Sequence, residues 1–341
     1  MTSAMRAVRV DRPGSAGLVE VARPAPGPGE VLVAVAAVGI CGSDVEVLGG
    51  TRPAPYVRYP VVPGHEWAGT VVQVGPGVSG LAPGDPVVAE GFRSCGACDR
   101  CKEGRTNLCS ADYAETGFTH PGAFADYVSV PACLVHRLPA DADLEAAALL
   151  EPASCVAQGL LEVGLRPGLH VAVVGSGTLG LLAVAMLRLV SPTRLALVGT
   201  RAARLELGRR LGATEVVDVD CDDQGVLAGS FDLVFEAANR PSGAASALRL
   251  ARRGGTVVLE GITGVDEPAL VSDEVPLKHL RVQGVFGASG AAWRWVVSLF
   301  STGALDTAPL ISHRFPLEEF ERAFATLQDR EAAALKVQLL P

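Results

Sequence analysis

The fold is decided by the stretch HVAVVGSGTLG, which occupies residues 170–180. Four consecutive apolar residues, Val171–Val174, predict a strand that is buried on both faces, as the strands of parallel sheets are. Glycines follow in the spacing GxGxxG, at Gly175, Gly177 and Gly180. The first permits a tight turn, the second lets the backbone approach a pyrophosphate, and the third allows close helix-to-strand packing. The stretch therefore predicts a nucleotide-binding turn, and a glycine-rich turn without a ligand is the alternative.

Apolar runs alternate with segments of helical spacing from about residue 166 onward. Such alternation is typical of a parallel sheet with helices on both faces. The predicted strands and helices, in chain order, are His170–Val174, Leu179–Val190, Arg194–Val198, Arg201–Leu211, Phe231–Phe235, Gly243–Leu250, Thr256–Leu259 and Val282–Phe286.

The flanking regions follow a different pattern. The first 130 residues predict short strands separated by Gly and Pro. After about residue 291, a helical spacing and then a strand spacing of apolar residues predict a return of the chain to the first unit. The sequence therefore predicts an α/β protein, with residues 1–157 and 292–341 in one domain and residues 158–291 in the other.

Composition excludes several classes of function. With 341 residues, 49% of them hydrophobic, the chain is long enough for two compact units. Its net charge of -8 gives nucleic acid and anionic lipid no electrostatic reason to bind. The uncharged residues 171–187 fall short of the roughly 20 that a spanning helix needs. The N-terminus lacks the apolar core of a secretory signal, so we expect a cytoplasmic protein.

The segment after the second predicted strand bears on which dinucleotide binds. An NAD site usually has Asp or Glu about 20 residues beyond the glycines, and no acidic residue stands there. Gly199 leaves room for a 2'-phosphate, Thr200 can donate a hydrogen bond, and Arg201 offers a fork of donors to a dianion. Arg204 lies one turn further on. NADP is therefore predicted over NAD, and the alternative is that both arginines only solvate the helix surface.

The full set of residues predicted to contact the cofactor includes one from the end of the last predicted strand. The set is Gly175, Gly177, Thr178, Leu179, Gly180, Gly199, Thr200, Arg201, Arg204 and Phe286.

Four of the eight cysteines are close together in the sequence. Their spacing is Cys95-x2-Cys98-x2-Cys101-x7-Cys109. Four thiolates on one short loop can close a tetrahedral shell around Zn2+ and leave no open position, so a structural zinc site is predicted. Paired disulfides are the alternative, but a reducing compartment disfavours them. An iron-sulfur cluster is disfavoured because ferredoxin loops place the fourth cysteine after three residues, not seven.

Three further fragments carry metal-binding side chains. Cys41-Gly42-Ser43-Asp44 follows an apolar strand, Gly64-His65-Glu66 follows a Pro-rich stretch, and Glu151 precedes Pro152. None of the fragments alone would justify a metal, since a lone His or Cys is more often a packing residue. Together they supply a thiolate, an imidazole and carboxylates, the set that a catalytic zinc uses while keeping one position for substrate.

With these motifs, the chain resembles the zinc-dependent medium-chain dehydrogenases/reductases, the superfamily of alcohol, sorbitol, glucose and threonine dehydrogenases. The resemblance covers essentially the whole chain. It implies a GroES-like β domain, completed by the C-terminus, with a doubly wound Rossmann domain inserted and the site in the cleft between them. The motifs that carry it are CGSD at 41–44, GHExxG at 64–69, GDxV at 84–87, the four cysteines, Glu151-Pro152 and the glycines at 175–180.

The resemblance also implies roles for individual residues. Cys41 and His65 would bind a catalytic zinc, with Glu66 and Glu151 alternating as ligand or as partner of a ligand. Ser43 would take the proton of the substrate hydroxyl, whose pKa the zinc lowers, while hydride passes to nicotinamide C4. The Gly-Thr-Arg at 199–201 is similar to the Gly-Ser-Arg of NADP-using secondary alcohol dehydrogenases.

One position departs from the family's pattern. Many members carry His three residues after the Ser or Thr, as the next group of the proton relay, and this chain has Glu46. Dehydrogenases similar to glucose dehydrogenase also carry Glu there, which points toward polyols. The resemblance therefore does not identify the residue that takes the proton after Ser43.

The predicted activity is that of a zinc-containing NAD(P)-dependent alcohol or polyol dehydrogenase. Its substrate would be the secondary alcohol or ketone of a small polar molecule, such as a polyol, sugar, cyclitol or amino alcohol. Residues 59–67, 117–119 and 122–127 are similar to segments of cyclitol dehydrogenases. Besides Glu46 and Glu151, Arg93 and Asn239 are candidate polar partners of the substrate, or else ordinary loop residues.

Members of this family are usually dimers or tetramers, so a homo-oligomer is expected, with neither nucleic acid nor membrane as a partner. Two alternatives stay open. One is a zinc-free quinone or enoyl reductase of the same superfamily, and the other is a catalytically silent NADPH-binding protein.

Overall fold

The computed structural model describes residues 4–222, 224–262 and 272–341. The chain divides into two compact units. The first unit consists of Met1–Glu151 and Ala288–Pro341, and the second consists of Pro152–Gly287.

The described residues form strands and helices along the whole chain. The strands are β1 (Ala4–Arg12), β2 (Ser15–Ala22), β3 (Glu30–Gly39), β4 (Glu66–Val74), β5 (Pro86–Ala89), β6 (Tyr127–Pro131), β7 (Val135–Arg137), β8 (His170–Val174), β9 (Arg194–Gly199), β10 (Glu215–Asp218), β11 (Phe231–Glu236), β12 (Ala251–Leu259), β13 (Arg281–Gly284), β14 (Ile311–Pro316) and β15 (Lys336–Leu340). The helices are α1 (Gly42–Gly49), α2 (Asp99–Lys102), α3 (Leu144–Ala147), α4 (Leu150–Leu161), α5 (Thr178–Arg188), α6 (Ala202–Leu211), α7 (Pro241–Leu250), α8 (Glu274–Lys278), α9 (Gly290–Ser301) and α10 (Phe320–Gln328). None of the helices among the described residues combines the length and the apolar character that crossing a bilayer requires.

The second unit is built on a parallel sheet in the order β10-β9-β8-β11-β12-β13. This order is that of the doubly wound dinucleotide-binding fold. Helices cover both faces because successive residues of β8 point to opposite sides. Ala172 belongs to a core cluster with Leu248 of α7, whereas Val173 lies close to Gly180 of α5. The predicted parallel sheet with helices on both faces is confirmed.

The predicted helix bounds in this unit differ from the observed ones by a few residues. The helix predicted over Leu179–Val190 ends two residues earlier, in α5, and Ser191 with a φ of 52° and Pro192 follow it. The helix predicted from Gly243 begins at Pro241, whose fixed φ suits the first turn of a helix.

The first unit contains a mixed sheet in the order β14-β15-β3-β4-β5-β7, with β6 also paired to β3. A separate hairpin joins β1 to β2. Strand β15 from the C-terminal segment pairs antiparallel with β3, with Gln338 opposite Gly39. Strand β3 in turn places Gly39 opposite Glu66, the first residue of β4. Because β15 pairs with β3 and β3 pairs with β4, the C-terminal segment lies one strand away from Glu66, one of the predicted metal-binding residues.

Candidate active site

Three of the predicted metal-binding residues come together in the first unit. Cys41 lies directly before α1, His65 directly before β4, and Glu66 is the first residue of β4. One ligand atom from each, a thiol sulfur, a ring nitrogen and a carboxylate oxygen, all lie within 4.8 Å of one another. His65 and Glu66 are buried, at 5% and 1% exposure. The donor set fits a zinc ion that keeps a fourth position open.

A buried carboxylate holds the two segments that carry these ligands. Asp44, which is 0% exposed, accepts a hydrogen bond from the backbone N–H of Cys41 at 2.8 Å. Its other oxygen accepts one from the backbone N–H of Gly64 at 3.3 Å and lies 3.5 Å from His65 Nδ1. Sequence analysis gave Asp44 no role, although an acid in the first turn of a helix is a usual capping residue. Here it fixes the spacing between thiol and imidazole.

The electrostatics of this cluster favour a positive charge. Burial lowers the pKa of His65, but the negative charge of Asp44 and the influence of Cys41 and Glu151 raise it, and the net pKa is well above the ordinary value. His65 Nδ1 lies 3.5 Å from Asp44 Oδ1, so the two groups form an ion pair when the imidazole is protonated. A cluster that attracts a proton this strongly provides the field that a divalent cation needs.

Glu66 has a buried partner from the far end of the chain. Lys336 Nζ in β15 lies 2.5 Å from Glu66 Oε2 and 3.3 Å from the carbonyl oxygen of Ile40. Burial lowers the pKa of Lys336, and Glu66 and its neighbours raise it to a net value above the ordinary one. Gly39 makes room for the pair, since a Cβ there would lie 2.4 Å from Glu66 Oε2. Sequence analysis missed Lys336, although a lysine in a buried apolar strand implies a carboxylate partner.

The other predicted catalytic residues surround this cluster. Glu151 is in the first turn of α4 and raises the pKa of His65, but its carboxylate lies outside the group within 4.8 Å. Ser43 is half-buried in α1. Glu46, also in α1, lies 3.6 Å from Arg52 Nη1. The roles predicted for these three residues stay predictions.

A second set of polar side chains, which we call the Arg52 cluster, consists of Glu46, Arg52, Tyr113, Glu115 and Phe118. The Arg52 guanidinium lies 3.9 Å from the centre of the Phe118 ring, and the Phe118 and His65 rings are 4.7 Å apart. The Tyr113 hydroxyl bonds to both Arg52 and Glu115. Burial raises the pKa of Glu115 to about 8, with His65 and Arg52 lowering it and Glu151 and Asp44 raising it. Sequence analysis identified Glu46 in this cluster and placed Phe118 in a segment similar to cyclitol dehydrogenases, but it gave no role to Arg52, Tyr113 or Glu115.

The four predicted structural cysteines form a separate group. Sulfur atoms of Cys95, Cys98, Cys101 and Cys109 all lie within 4.8 Å of one another. The distances Cys95–Cys101 and Cys98–Cys109 are each 4.0 Å. A tetrahedral shell with Zn–S bonds of about 2.3 Å has neighbouring sulfurs about 3.8 Å apart. All four thiols are free, so the geometry suits a metal shell and not a pair of disulfides.

In the second unit, the three glycines of the predicted nucleotide turn differ in what surrounds them. Gly175 has a φ of 116°, in the left-handed region. A Cβ on Gly180 would lie 1.8 Å from the Gly175 carbonyl oxygen, so only glycine fits there. A Cβ on Gly177 would meet nothing within 4 Å. Packing therefore explains Gly175 and Gly180, and the open space at Gly177, before α5, leaves its backbone accessible to a ligand.

The segment after β9 connects to this turn. Ser176 Oγ donates a hydrogen bond to the carbonyl oxygen of Thr200 at 2.7 Å. A Cβ on Gly199 would lie 2.6 Å from Ser176 Cβ, so Gly199 is required by packing, a reason that differs from the space predicted for a phosphate. Arg201 is exposed with a φ of 68°. Burial, and then the charge of Arg201, lower the pKa of Arg204, so the two guanidinium groups form a positive patch.

Three further residues that were predicted to contact cofactor or substrate lie outside the group of metal-binding side chains. Phe286, predicted to contact the cofactor, lies two residues beyond β13 and is 40% exposed. Arg93 Nε donates a hydrogen bond to Thr116 Oγ1 at 3.2 Å, and Arg93 Nη2 donates one to the carbonyl oxygen of Ser129 at 3.0 Å, so two of its five N–H donors are used within the protein. Asn239 has a φ of 51° in the second unit.

Two family models match the chain. The alcohol dehydrogenase GroES-like domain matches residues 27–140, and the zinc-binding dehydrogenase domain matches residues 178–302. An L-threonine 3-dehydrogenase of Bacillus velezensis is 34% identical over 334 residues, which cover 96% of this chain and 95% of that protein.

Solved structures agree over nearly the whole chain. A protein of Sinorhizobium meliloti 1021, described as a zinc-binding dehydrogenase and bound to NADP, is 34% identical with a TM-score of 0.93, covering 99% of this chain and 100% of that one. A thermostable alcohol dehydrogenase of Pyrobaculum aerophilum, bound to cobalt and zinc, is 30% identical with a TM-score of 0.90 and the same coverage.

The chain belongs to the zinc-dependent medium-chain dehydrogenase/reductase family. It is an enzyme of the zinc-type alcohol dehydrogenase class, an NAD(P)-dependent oxidoreductase that acts on a small molecule. The predictions of family, enzyme class, and a GroES-like domain with a Rossmann domain are confirmed.

Proposed function

We propose that the protein transfers hydride between NADP(H) and the secondary alcohol or ketone of a small polar substrate, at a zinc ion held by Cys41, His65 and Glu66. The observation that carries the proposal is the approach of three chemically different ligand atoms to within 4.8 Å of one another, with His65 and Glu66 buried and Cys41 half-buried. Glu151 is proposed as the carboxylate that exchanges with Glu66.

A zinc ion in this position would lower the pKa of a substrate hydroxyl and polarise a carbonyl group. The chain's own residues would then orient and move a proton. Asp44 fixes the separation of the two ligand segments, and Ser43, on the same turn of α1, takes the hydroxyl proton. Glu46 is next along the helix, where Arg52 lies 3.6 Å from its carboxylate, so we propose Glu46 as the following proton carrier.

We propose a second, structural zinc ion at Cys95, Cys98, Cys101 and Cys109. Four sulfurs at nearly tetrahedral separations supply a complete shell, so this ion would have no open position for substrate. Its contribution would be to the folding of the loop that carries the cysteines.

The proposed function is tested by combining a metal analysis with a substrate screen. The purified protein should contain two zinc ions per chain, one for each donor group. It should also reduce NADP in the presence of a secondary alcohol, polyol or amino alcohol, followed by absorbance of the reduced nicotinamide. One zinc ion without turnover would instead identify a silent NADPH-binding protein. Turnover of a quinone or enone by a metal-free protein would identify a reductase.

The preference for NADP is proposed from the residues that follow β9. Arg201 is exposed, Arg204 is close enough for its pKa to be lowered by Arg201, and no acidic residue stands between Gly199 and Arg204. Two guanidinium groups side by side attract a dianionic 2'-phosphate, and a carboxylate in their place would repel it.

Replacing Arg201 with Ala should raise the KM for NADP about 10- to 100-fold and leave the KM for NAD within about threefold. The reason is that a charge-assisted hydrogen bond of about 1.5–3 kcal/mol is lost only where the 2'-phosphate exists. Steady-state kinetics with both cofactors measures this. Arg209→Ala is the matched control, since Arg209 is exposed on α6, the helix that follows Arg201, and pairs with Glu206. Equal losses with both cofactors, or a wild-type preference for NAD, would contradict the assignment.

The location and assembly of the protein are proposed from the resemblance and the composition. We expect a homo-oligomer, dimeric or tetrameric, in the cytoplasm.

A further inference from the structure

The hydroxyl group of Ser176 connects two loops of the second unit. Ser176, which stands between the first two glycines of the nucleotide turn, is buried at 5% exposure. Its hydroxyl donates a hydrogen bond to the carbonyl oxygen of Thr200 at 2.7 Å and accepts one from the backbone N–H of the same residue at 3.3 Å. One side chain therefore pairs with both main-chain polar groups of a residue that lies 24 positions later in the chain.

These two hydrogen bonds form where the pairing of β9 with β10 ends. The last pair of residues in that ladder is Gly199 with Asp218, and the carbonyl oxygen of Gly199 accepts a hydrogen bond from the backbone N–H of Val219 at 2.9 Å. Thr200 is the first residue beyond the ladder. Ser176 supplies to Thr200 the partner groups that neighbouring strands supply to the residues of β9.

The next residue, Arg201, has a backbone conformation that needs support. Its φ of 68° and ψ of 101° are values that residues with a side chain rarely adopt. Such a conformation persists only where the surrounding structure fixes it. On one side of Arg201, Thr200 is bonded to Ser176, and on the other side α6 begins. The direction in which the Arg201 side chain leaves the backbone therefore depends on Ser176.

The space that Ser176 occupies is provided by Gly199. A Cβ on Gly199 would lie 2.6 Å from both Cβ and Oγ of Ser176. Gly199 does not have a positive φ, so its backbone conformation does not explain the glycine. The lack of a side chain at position 199 is what lets the Ser176 hydroxyl reach Thr200.

We propose that Ser176 is a positioning residue for the cofactor, which holds Thr200 and Arg201 where their side chains meet the 2'-phosphate of NADP(H). Ser176 acts through these two residues and not by a contact of its own with the phosphate. This inference rests on the proposed function, because it concerns the NADP preference of the same site. Its consequence is that Ser176 supports the binding of NADP(H) but not that of NAD(H), which has no 2'-phosphate.

The experiment measures the Kd of NADPH and of NADH for the zinc-loaded holoenzyme, by fluorescence titration of the reduced nicotinamide. Ser176→Ala should raise the Kd of NADPH about 5- to 20-fold, because both main-chain groups of Thr200 lose a buried hydrogen-bond partner and the segment relaxes. The Kd of NADH should stay within about threefold of the wild-type value. Damage to the whole nucleotide turn would instead weaken both cofactors, since both carry the pyrophosphate that the turn binds.

A double variant shows whether Ser176 acts through Arg201. In the Arg201→Ala background, Ser176→Ala should raise the Kd of NADPH by less than about threefold, because the guanidinium group that Ser176 positions is absent.

Thr193→Val is the matched control for the loss of a hydroxyl group. Thr193 Oγ1 donates a hydrogen bond to the carbonyl oxygen of Gly168 at 3.2 Å. Thr193 stands directly before β9, at the opposite end of that strand from Thr200. This variant should leave both Kd values unchanged.

The outcomes distinguish this inference from the proposed function. The role of Ser176 is overturned by an unchanged ratio of the two Kd values in Ser176→Ala, by an equal loss with both cofactors, or by a full effect in the Arg201→Ala background. Each of these results leaves the NADP assignment standing. A wild type that binds NADH more tightly than NADPH overturns the proposed preference for NADP, and this inference with it.

Discussion

Replacing Cys41 with Ala should lower kcat/KM for alcohol oxidation by about 1,000-fold or more, with a parallel result for His65→Ala. Each variant removes one of three ligand atoms from a cluster only 4.8 Å across. The substrate hydroxyl then loses the cation that would make it acidic, and stabilisation of developing charge of this kind is worth about 100- to 1,000-fold per group. Steady-state kinetics and the metal content of each variant measure the effect.

Two controls show whether the loss is local. Both variants should still bind NADPH, because the nucleotide turn belongs to the second unit. Cys133→Ala removes an exposed cysteine of the first unit, outside both cysteine-containing groups, and should keep full activity. Wild-type turnover by Cys41→Ala, with its metal content unchanged, would refute the proposed zinc site.

Replacing Lys336 with Met should lower the free energy of unfolding by about 3–5 kcal/mol, the cost of removing one partner of a buried ion pair. The Glu66 carboxylate, 1% exposed, would lose the ammonium group 2.5 Å away. The double variant Glu66→Gln, Lys336→Met should recover most of the loss, because it leaves neither partner of the pair charged and alone. Urea unfolding of the wild type and of the two variants, each freed of metal so that no zinc ion compensates Glu66, gives the comparison.

Lys102→Met is the control for the general effect of replacing a lysine. Lys102 is exposed in α2, and such a change normally alters stability by no more than about 0.5 kcal/mol. Two results would show that the buried pair does not stabilise the first unit. In one, Lys336→Met is as stable as Lys102→Met. In the other, the double variant is less stable than both the wild type and Lys336→Met.

The fold of the second unit could be predicted because its determinants are local. A run such as Val171–Val174 is typical of a strand buried on both faces of a parallel sheet, and Gly175 and Gly180 are required by atoms of the same turn and its neighbouring loop. The chemistry of Cys41 and His65 was also recognisable, since each stands in a short motif.

The partners of those residues could not be predicted, because they depend on tertiary pairing. Lys336 meets Glu66 only because β15 pairs with β3, and β3 with β4. Glu115 lies 4.0 Å from Arg52, which stands 63 positions earlier in the chain. A charged residue in an apolar strand implies that some partner exists, but the identity of the partner follows from strand register.

Gly199 shows that a correct residue can be chosen for an incomplete reason. Sequence analysis explained this glycine by the space that a phosphate requires. In the structure, Ser176 already fills the position where its Cβ would lie. A glycine there would be required whichever dinucleotide binds, so the argument for NADP depends on Thr200, Arg201 and Arg204 and on the lack of an acidic residue among them.

The pairing of Lys336 with Glu66 has a consequence for biosynthesis. Chains leave the ribosome from the N-terminus, and their early segments can begin to fold before the later ones emerge. Glu66 is synthesised 270 residues before Lys336. The nascent first unit therefore contains the Glu66 carboxylate without its buried cation for most of translation. The first unit can reach its final packing only after the complete second unit has been synthesised.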